Sequence, residues 1–289
     1  PMSTPTLIAG LSEIAGDYDV VLSDVWGVIH NGREAFAPAC AALARFGRER
    51  GPVVLISNAP RPASAVRPQL DELGVPREAW ATLVTSGDAT RRELEARSPG
   101  PVWAIGPERD QPLYEGLSLQ FSGPERAAVI ACTGLEDDER ETAEDYRQRL
   151  RPAAARGLPF VCANPDRVVQ RGDDLIPCAG ALADVYAELG GQVVMAGKPH
   201  APIYALALAE AEARLGRPVN RGRVLAVGDG LPTDVQGAEA QGLDCLFVAD
   251  GIHAADLLDG DGQPDVERAA VMLREAGTSA RWFSGPLRW

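Results

Sequence analysis

Lysine is almost absent from this chain: of its 28 basic residues, 27 are arginine and the single lysine is Lys198. Histidine is scarce as well. The three present (His30, His200, His253) are too few and too dispersed for a histidine-based zinc site, and no HExxH pattern occurs. The five cysteines (Cys40, Cys132, Cys162, Cys178, Cys245) never form a CxxC pair. That usage fits a reducing, cytoplasmic compartment, where thiols act as small buried hydrophobes. No apolar run approaches the roughly 18 residues needed to cross a bilayer, which excludes a membrane span. The first ten residues lack the charged start and long apolar stretch of a signal peptide. Basic residues are also outnumbered, 28 against 41 acidic, for a net charge of −13. This balance argues against a nucleic-acid groove, whose affinity rests on basic residues meeting phosphates.

What is present is a 289-residue chain, 45% hydrophobic, long enough for one large domain or two moderate ones. Short apolar runs alternate with longer stretches of helical period. Asp19 to Ser23, Pro52 to Ile56, Arg223 to Val227 and Cys245 to Ala249 read as strands buried on both faces, because they are rich in valine and unbroken by polar residues. Pro38 to Arg50, Ala63 to Leu73, Pro202 to Leu215 and Asp234 to Gln241 read as helices. This alternation predicts a parallel sheet covered on both sides, with ligands beyond the carboxyl ends of its strands.

The middle of the chain changes texture. From about Arg91 to Leu189 come prolines, an acidic cluster (Glu136 to Glu141) and further strand-like pieces at Val102 to Ile105, Ala127 to Ala131 and Pro159 to Ala163. The acidic cluster reads as a solvated helix start. The first sheet's pattern resumes near Val193. The expected organisation is therefore α/β: a Rossmann-like parallel-sheet core over 1–90 and 190–289, with an inserted α/β cap domain over 91–189.

Polar residues gather at the expected strand ends. Asp24 follows the first strand in Ser23-Asp24-Val25-Trp26-Gly27-Val28, and Ser57 follows the second. Asp229 and Asp234 follow another in Val227-Gly228-Asp229-Gly230-Leu231-Pro232-Thr233-Asp234. An isolated aspartate in such a place also serves as a plain strand-end cap. Several carboxylates converging at one sheet edge repel each other unless a cation neutralises them, and oxygen ligands without His or Cys suit Mg²⁺. Two other motif readings fail on spacing. Gly191 to Lys198 places its first glycine one position too far for a P-loop, and Pro199 replaces the Ser/Thr that would hold magnesium. Gly228-Asp229-Gly230 is followed by Thr233 where a dinucleotide fingerprint needs its third glycine. The lone ammonium of Lys198, in Gly197-Lys198-Pro199, is a compact point charge that arginine does not replace in a tight phosphate site.

Together these motifs resemble the haloacid dehalogenase superfamily, in particular the class with a large inserted cap (the ribonucleotide monophosphatase and 4-nitrophenylphosphatase branch). Asp24-Val25-Trp26-Gly27, Ile56-Ser57-Asn58, Gly197-Lys198-Pro199 and Gly228-Asp229 through Asp234 match in order, and Asn164-Pro165-Asp166 matches a cap motif of that branch. The resemblance covers about Tyr18 to Ile252. It implies a phosphatase acting on a small phosphorylated metabolite, with Asp24 attacking phosphorus to form an aspartyl phosphate. It also implies magnesium held by Asp24, the main-chain carbonyl of Trp26 and Asp229, with Asp234 supporting the metal's surroundings. Ser57 and the N–H of Asn58 would hold phosphate oxygens, and Lys198 would span Asp24 and the phosphate. Asn164 and Asp166 are the cap's candidate specificity residues. Arg61 reads as an exposed arginine or a substrate contact. Members of the branch often pair through their caps, so a homodimer is the assembly the resemblance allows.

One residue departs from the pattern. The family's phosphatases usually carry a second aspartate two residues after the nucleophile, as acid and then base; here that residue is Trp26. Three accounts are open. The substrate's leaving group needs little protonation; or another group, His30 being the nearest, moves the proton; or the protein binds a phosphometabolite with feeble turnover. His30 reads equally as a loop packing residue.

Overall fold

The computed structural model describes residues 4–171 and 174–289. The chain divides into two compact units: Pro1–Ser57, Arg67–Val84 and Tyr204–Trp289 form the first, Asn58–Val66 and Thr85–Ile203 the second. The stretch 91–189, expected as an insertion, falls inside the second unit, which also takes in 58–66, 85–90 and 190–203.

Strands are numbered in chain order. The first four are β1 (Thr6–Leu7), β2 (Val20–Ser23), β3 (Val53–Ser57) and β4 (Thr82–Thr85). Then come β5 (Val102–Ile105), β6 (Val129–Cys132), β7 (Pro159–Cys162), β8 (Val168–Arg171), β9 (Asp174–Pro177) and β10 (Gln192–Met195). The last are β11 (Val224–Gly228), β12 (Asp244–Val248) and β13 (Trp282–Ser284).

Among the described residues the first unit carries a seven-stranded sheet in the order β1-β13-β12-β11-β2-β3-β4. β2 lies between β11 and β3 and pairs in parallel with both. Every residue of β2, β3 and β11 is buried, which is why their apolar runs are continuous rather than alternating. The chain leaves β2 outward towards β3 and β4, and leaves β11 the other way towards β12 and β13. The β2–β11 boundary is thus the topological switch point, where a crevice opens beyond the strand ends. Helix Ala37–Glu49 starts with Pro38 in its first turn and buries Ala39, Cys40, Ala42, Leu43 and Phe46 along one stripe. No helix among the described residues is long and apolar enough to cross a membrane.

The second unit has a parallel four-stranded sheet, β10-β7-β6-β5, and an antiparallel pair, β8-β9. Alternate residues of the sheet serve two cores. Trp103, Ile105, Ile130, Cys132, Phe160 and Cys162 pack with Tyr146, Leu150, Leu182 and Tyr186. Val102, Val129, Ala131 and Val161 pack with Leu94, Leu113 and Tyr114 on the other face.

Two expectations are corrected. Val193 does not return the chain to the first sheet: it lies in β10, opposite Phe160 of β7. The large sheet resumes only at Val224, because an apolar run does not itself encode which sheet it joins. The acidic cluster is not a helix start either. Residues 136–140 form turns, and the helical segment begins after Thr142, which caps it together with Asp145. Asp138 of that cluster is buried and paired with Arg109 and Arg171 rather than solvated.

Candidate active site

Asp24 directly follows β2, and its N–H donates to the carbonyl of Val227 at 2.8 Å, which carries the β2–β11 pairing one step past the strand. Asp229 directly follows β11, and a π-helical turn, Leu231–Val235, brings Asp234 back to the same strand end. One carboxylate oxygen from each of Asp24, Asp229 and Asp234 lies within 4.8 Å of the others. Both later aspartates are buried and held by main-chain donors. Ile252 N–H donates to Asp229 Oδ2 at 2.7 Å, and Gly230 N–H donates to Asp234 Oδ2 at 3.0 Å. Burial, then the neighbouring Asp24 and Asp234 charges, push the Asp229 carboxyl well above the usual carboxylate range. An oxygen-only donor set of this crowding fits a hard divalent cation, which would relieve that repulsion.

Room for Asp229 comes from glycines. Gly27 has φ +79°, and a Cβ there would stand 2.3 Å from Asp229 Oδ2; one at Gly251 would stand 2.1 Å from the same oxygen. Any side chain at either position would displace the carboxylate.

Trp26 is also held. Its ring meets the His30 ring edge-on, with centroids 5.0 Å apart, and a Cβ on Gly32 (φ +83°) would come within 2.3 Å of the indole. His30, a candidate proton carrier, is 1% exposed, and its Nδ1 accepts from the Gly32 N–H at 2.9 Å. Desolvation lowers its pKa to about 4, so the ring is neutral at pH 7. Its ring is packed against that of Trp26.

Ser57 ends β3 and is buried. Within the second unit, Asn58 forms a clasp. Its Nδ2 donates to Asp166 Oδ1 at 2.9 Å and to the Lys198 carbonyl at 3.0 Å, while its Oδ1 accepts from the Lys198 N–H at 2.8 Å. Asn164 Oδ1 accepts from the Asp166 N–H at 3.0 Å, fixing the turn that presents Asp166. The second unit thereby brings Asn58, Asn164, Asp166 and Lys198 together, with Lys198 only 2% exposed. Gly197 is enclosed by Ser86, Asn58 and Pro165, and a Cβ there would meet Ser86 Oγ at 2.5 Å. Arg61 is not the surface residue expected. Its side chain is 25% exposed and stands 3.7 Å from the buried Asp110.

Comparison with known proteins decides the family. A haloacid dehalogenase-like hydrolase model matches residues 21–120, and a second, HAD-hydrolase-like model matches 195–272. A solved hydrolase of the haloacid dehalogenase-like family from Brucella suis is 44% identical, covering 96% of this chain and 98% of its own, with a TM-score of 0.84. The chain belongs to the haloacid dehalogenase-like hydrolases. A D-glycerol 3-phosphate phosphatase of Mycobacterium tuberculosis is 28% identical over 254 residues, 85% of this chain and 67% of the relative. A glycerol phosphate phosphatase from the same organism, solved with magnesium, is 26% identical over 88% of this chain and 78% of its own, with a TM-score of 0.63. This family member is therefore an enzyme with phosphatases among its relatives, built on a Rossmann-like parallel sheet.

Sequence reading missed the residues that shape the site rather than fill it. Gly27, Gly32, Gly251 and the Ile252 N–H carry no reactive group. Gly27 beside Trp26 and Gly251 beside Asp250 gave the only signal, a glycine next to an aromatic residue or an acid in the loop after a strand.

Proposed function

We propose that this hydrolase is a magnesium-dependent phosphatase of small phosphorylated metabolites, working through an aspartyl phosphate on Asp24. Its support is the meeting of Asp24, Asp229 and Asp234 at the switch point of the sheet. Asp24 attacks phosphorus; its Oδ–P bond forms as the bond to the leaving oxygen breaks. Water then displaces the carboxylate from phosphorus and inorganic phosphate departs. Ser57 and the Asn58 N–H hold phosphate oxygens, and Lys198 supplies the compact positive charge. Asp24, the Trp26 carbonyl and Asp229 would hold magnesium, whose charge offsets the repulsion between carboxylate and phosphate. Asp234, whose Oδ2 accepts from the Gly230 N–H, would support the metal's surroundings, and Asn164 and Asp166 form part of the substrate's surroundings.

A panel of phosphorylated metabolites assayed with Mg²⁺ and with EDTA tests this reading. Wild type should release phosphate only with the metal, and Asp24→Asn should lose turnover by at least about 10³-fold. Turnover that persists in Asp24→Asn would defeat the reading. No turnover by wild type, with turnover gained by Trp26→Asp, would favour a phosphometabolite-binding protein instead.

A further inference from the structure

The loop that carries Asp24 brings no carboxylic acid of its own beside the nucleophile, and Trp26 stands two residues on. A general acid must reach the leaving oxygen within hydrogen-bonding distance as the phosphorus bond breaks. Among the described residues of the first unit, Asp229, Asp234, His30 and His253 are each held by a main-chain N–H. Asp229 and Asp234 accept main-chain N–H groups and form the cation cluster. His30 is buried with Nδ1 accepting from Gly32, and His253 Nε2 accepts from the Leu231 N–H at 3.3 Å. Trp26 occupies the remaining position on the nucleophile's own loop. Its indole N–H is a hydrogen-bond donor that does not give up its proton in neutral water. The ring is held there by its edge-on contact with His30 and by the close approach of the Gly32 main chain.

Resting on the phosphatase reading above, we propose that the substrate is a phosphate compound whose leaving group departs as a stabilised anion, an acyl or aryl phosphate, and not an alkyl phosphate ester. A carboxylate leaving group has a conjugate-acid pKa of about 4 and a phenol about 10. An alcohol lies near water, at about 16. In the first step the Asp24 Oδ–P bond forms, the P–O bond to the leaving group breaks, and its electron pair leaves on the carboxylate or phenolate without a proton. In the second step water adds to phosphorus and the Oδ–P bond breaks, restoring the Asp24 carboxylate. Both protons of the water leave on the released dihydrogen phosphate. Atoms and charge balance without an acid from the protein.

The test is a leaving-group series measured with Mg²⁺: acetyl phosphate, aryl phosphates of graded phenol acidity, and glycerol 3-phosphate. Wild-type kcat/KM should fall steeply as leaving-group pKa rises, with glycerol 3-phosphate at least about 10²-fold below acetyl phosphate. Within the series, the acyl and aryl arms show which anion is preferred. Trp26→Asp should flatten the slope and raise alkyl-ester turnover by about 10²–10⁴-fold. Acid-quenched mass spectrometry of wild type provides a readout independent of the variant. Acetyl phosphate should add one phosphate mass at Asp24 and glycerol 3-phosphate should not. A flat wild-type profile, with glycerol 3-phosphate turned over as fast as acetyl phosphate, overturns the inference and leaves the phosphatase reading standing. No phosphate released from any member, and none found on Asp24, overturns both.

Discussion

Replacing Gly32 with alanine probes how firmly the indole beside the nucleophile is held. Two costs are separable. The residue sits at φ +83°, and an L side chain in that region costs roughly 1–2 kcal/mol. The new Cβ would also stand 2.3 Å from the edge of the Trp26 ring, which must move, and overpacking of this kind costs about 1–3 kcal/mol. The expected loss for Gly32→Ala is therefore about 2–5 kcal/mol, a large share of a typical total stability. Urea unfolding followed by far-ultraviolet circular dichroism measures it. The decisive version is a double-mutant cycle with Trp26→Ala. With the ring gone, only the backbone strain remains, so the cycle should give a coupling of at least about 1 kcal/mol. A coupling below about 0.3 kcal/mol would mean the indole swings freely, and would refute its being held by the Gly32 main chain.

Two further outcomes follow from groups already placed. Lys198→Arg should weaken binding of inorganic phosphate by more than about 10-fold in titration calorimetry, because a wide guanidinium does not replace a compact ammonium at a position that is 2% exposed. Asp110, raised in pKa mainly by burial despite its Thr133 and Arg61 partners, binds its proton more readily folded than unfolded. Wild-type stability relative to Asp110→Asn should accordingly be greatest below the ordinary carboxylate pKa and fall as pH rises from there through the raised value, as read by urea unfolding at several pH values. The opposite slope would show that the arginine outweighs the burial.

Much of the large sheet was legible because its strands are buried on both faces. β2, β3, β11 and β12 stand within a residue of their expected positions, and the acids sit at their carboxyl ends. The assignment of Val193 failed for a physical reason: period and composition report burial, whereas the choice between β7 and the large sheet is made by pairing across distant sequence. The same limit hid the Asn58 clasp, in which the side chain joins positions 140 residues apart, whereas the sequence pointed only to the main-chain N–H of Asn58, as a phosphate donor. It also hid Asp138, whose arginine partners Arg109 and Arg171 flank the cluster at a distance. Glycines that clear space for a carboxylate leave no periodic trace, and become readable only with the neighbour in view.

All five cysteines are buried, with Cys40 and Cys245 in the first unit and Cys132, Cys162 and Cys178 in the second. Burial also drives the Cys132, Cys162 and Cys178 thiols upward in pKa, so their reactive thiolates are doubly suppressed in the native state. The folded protein is thus close to inert towards alkylating reagents, and each thiol becomes a clock for the opening of the unit that contains it. Pulsed alkylation resolved by peptide mass would time the two units separately, with no label or engineered probe added to the chain.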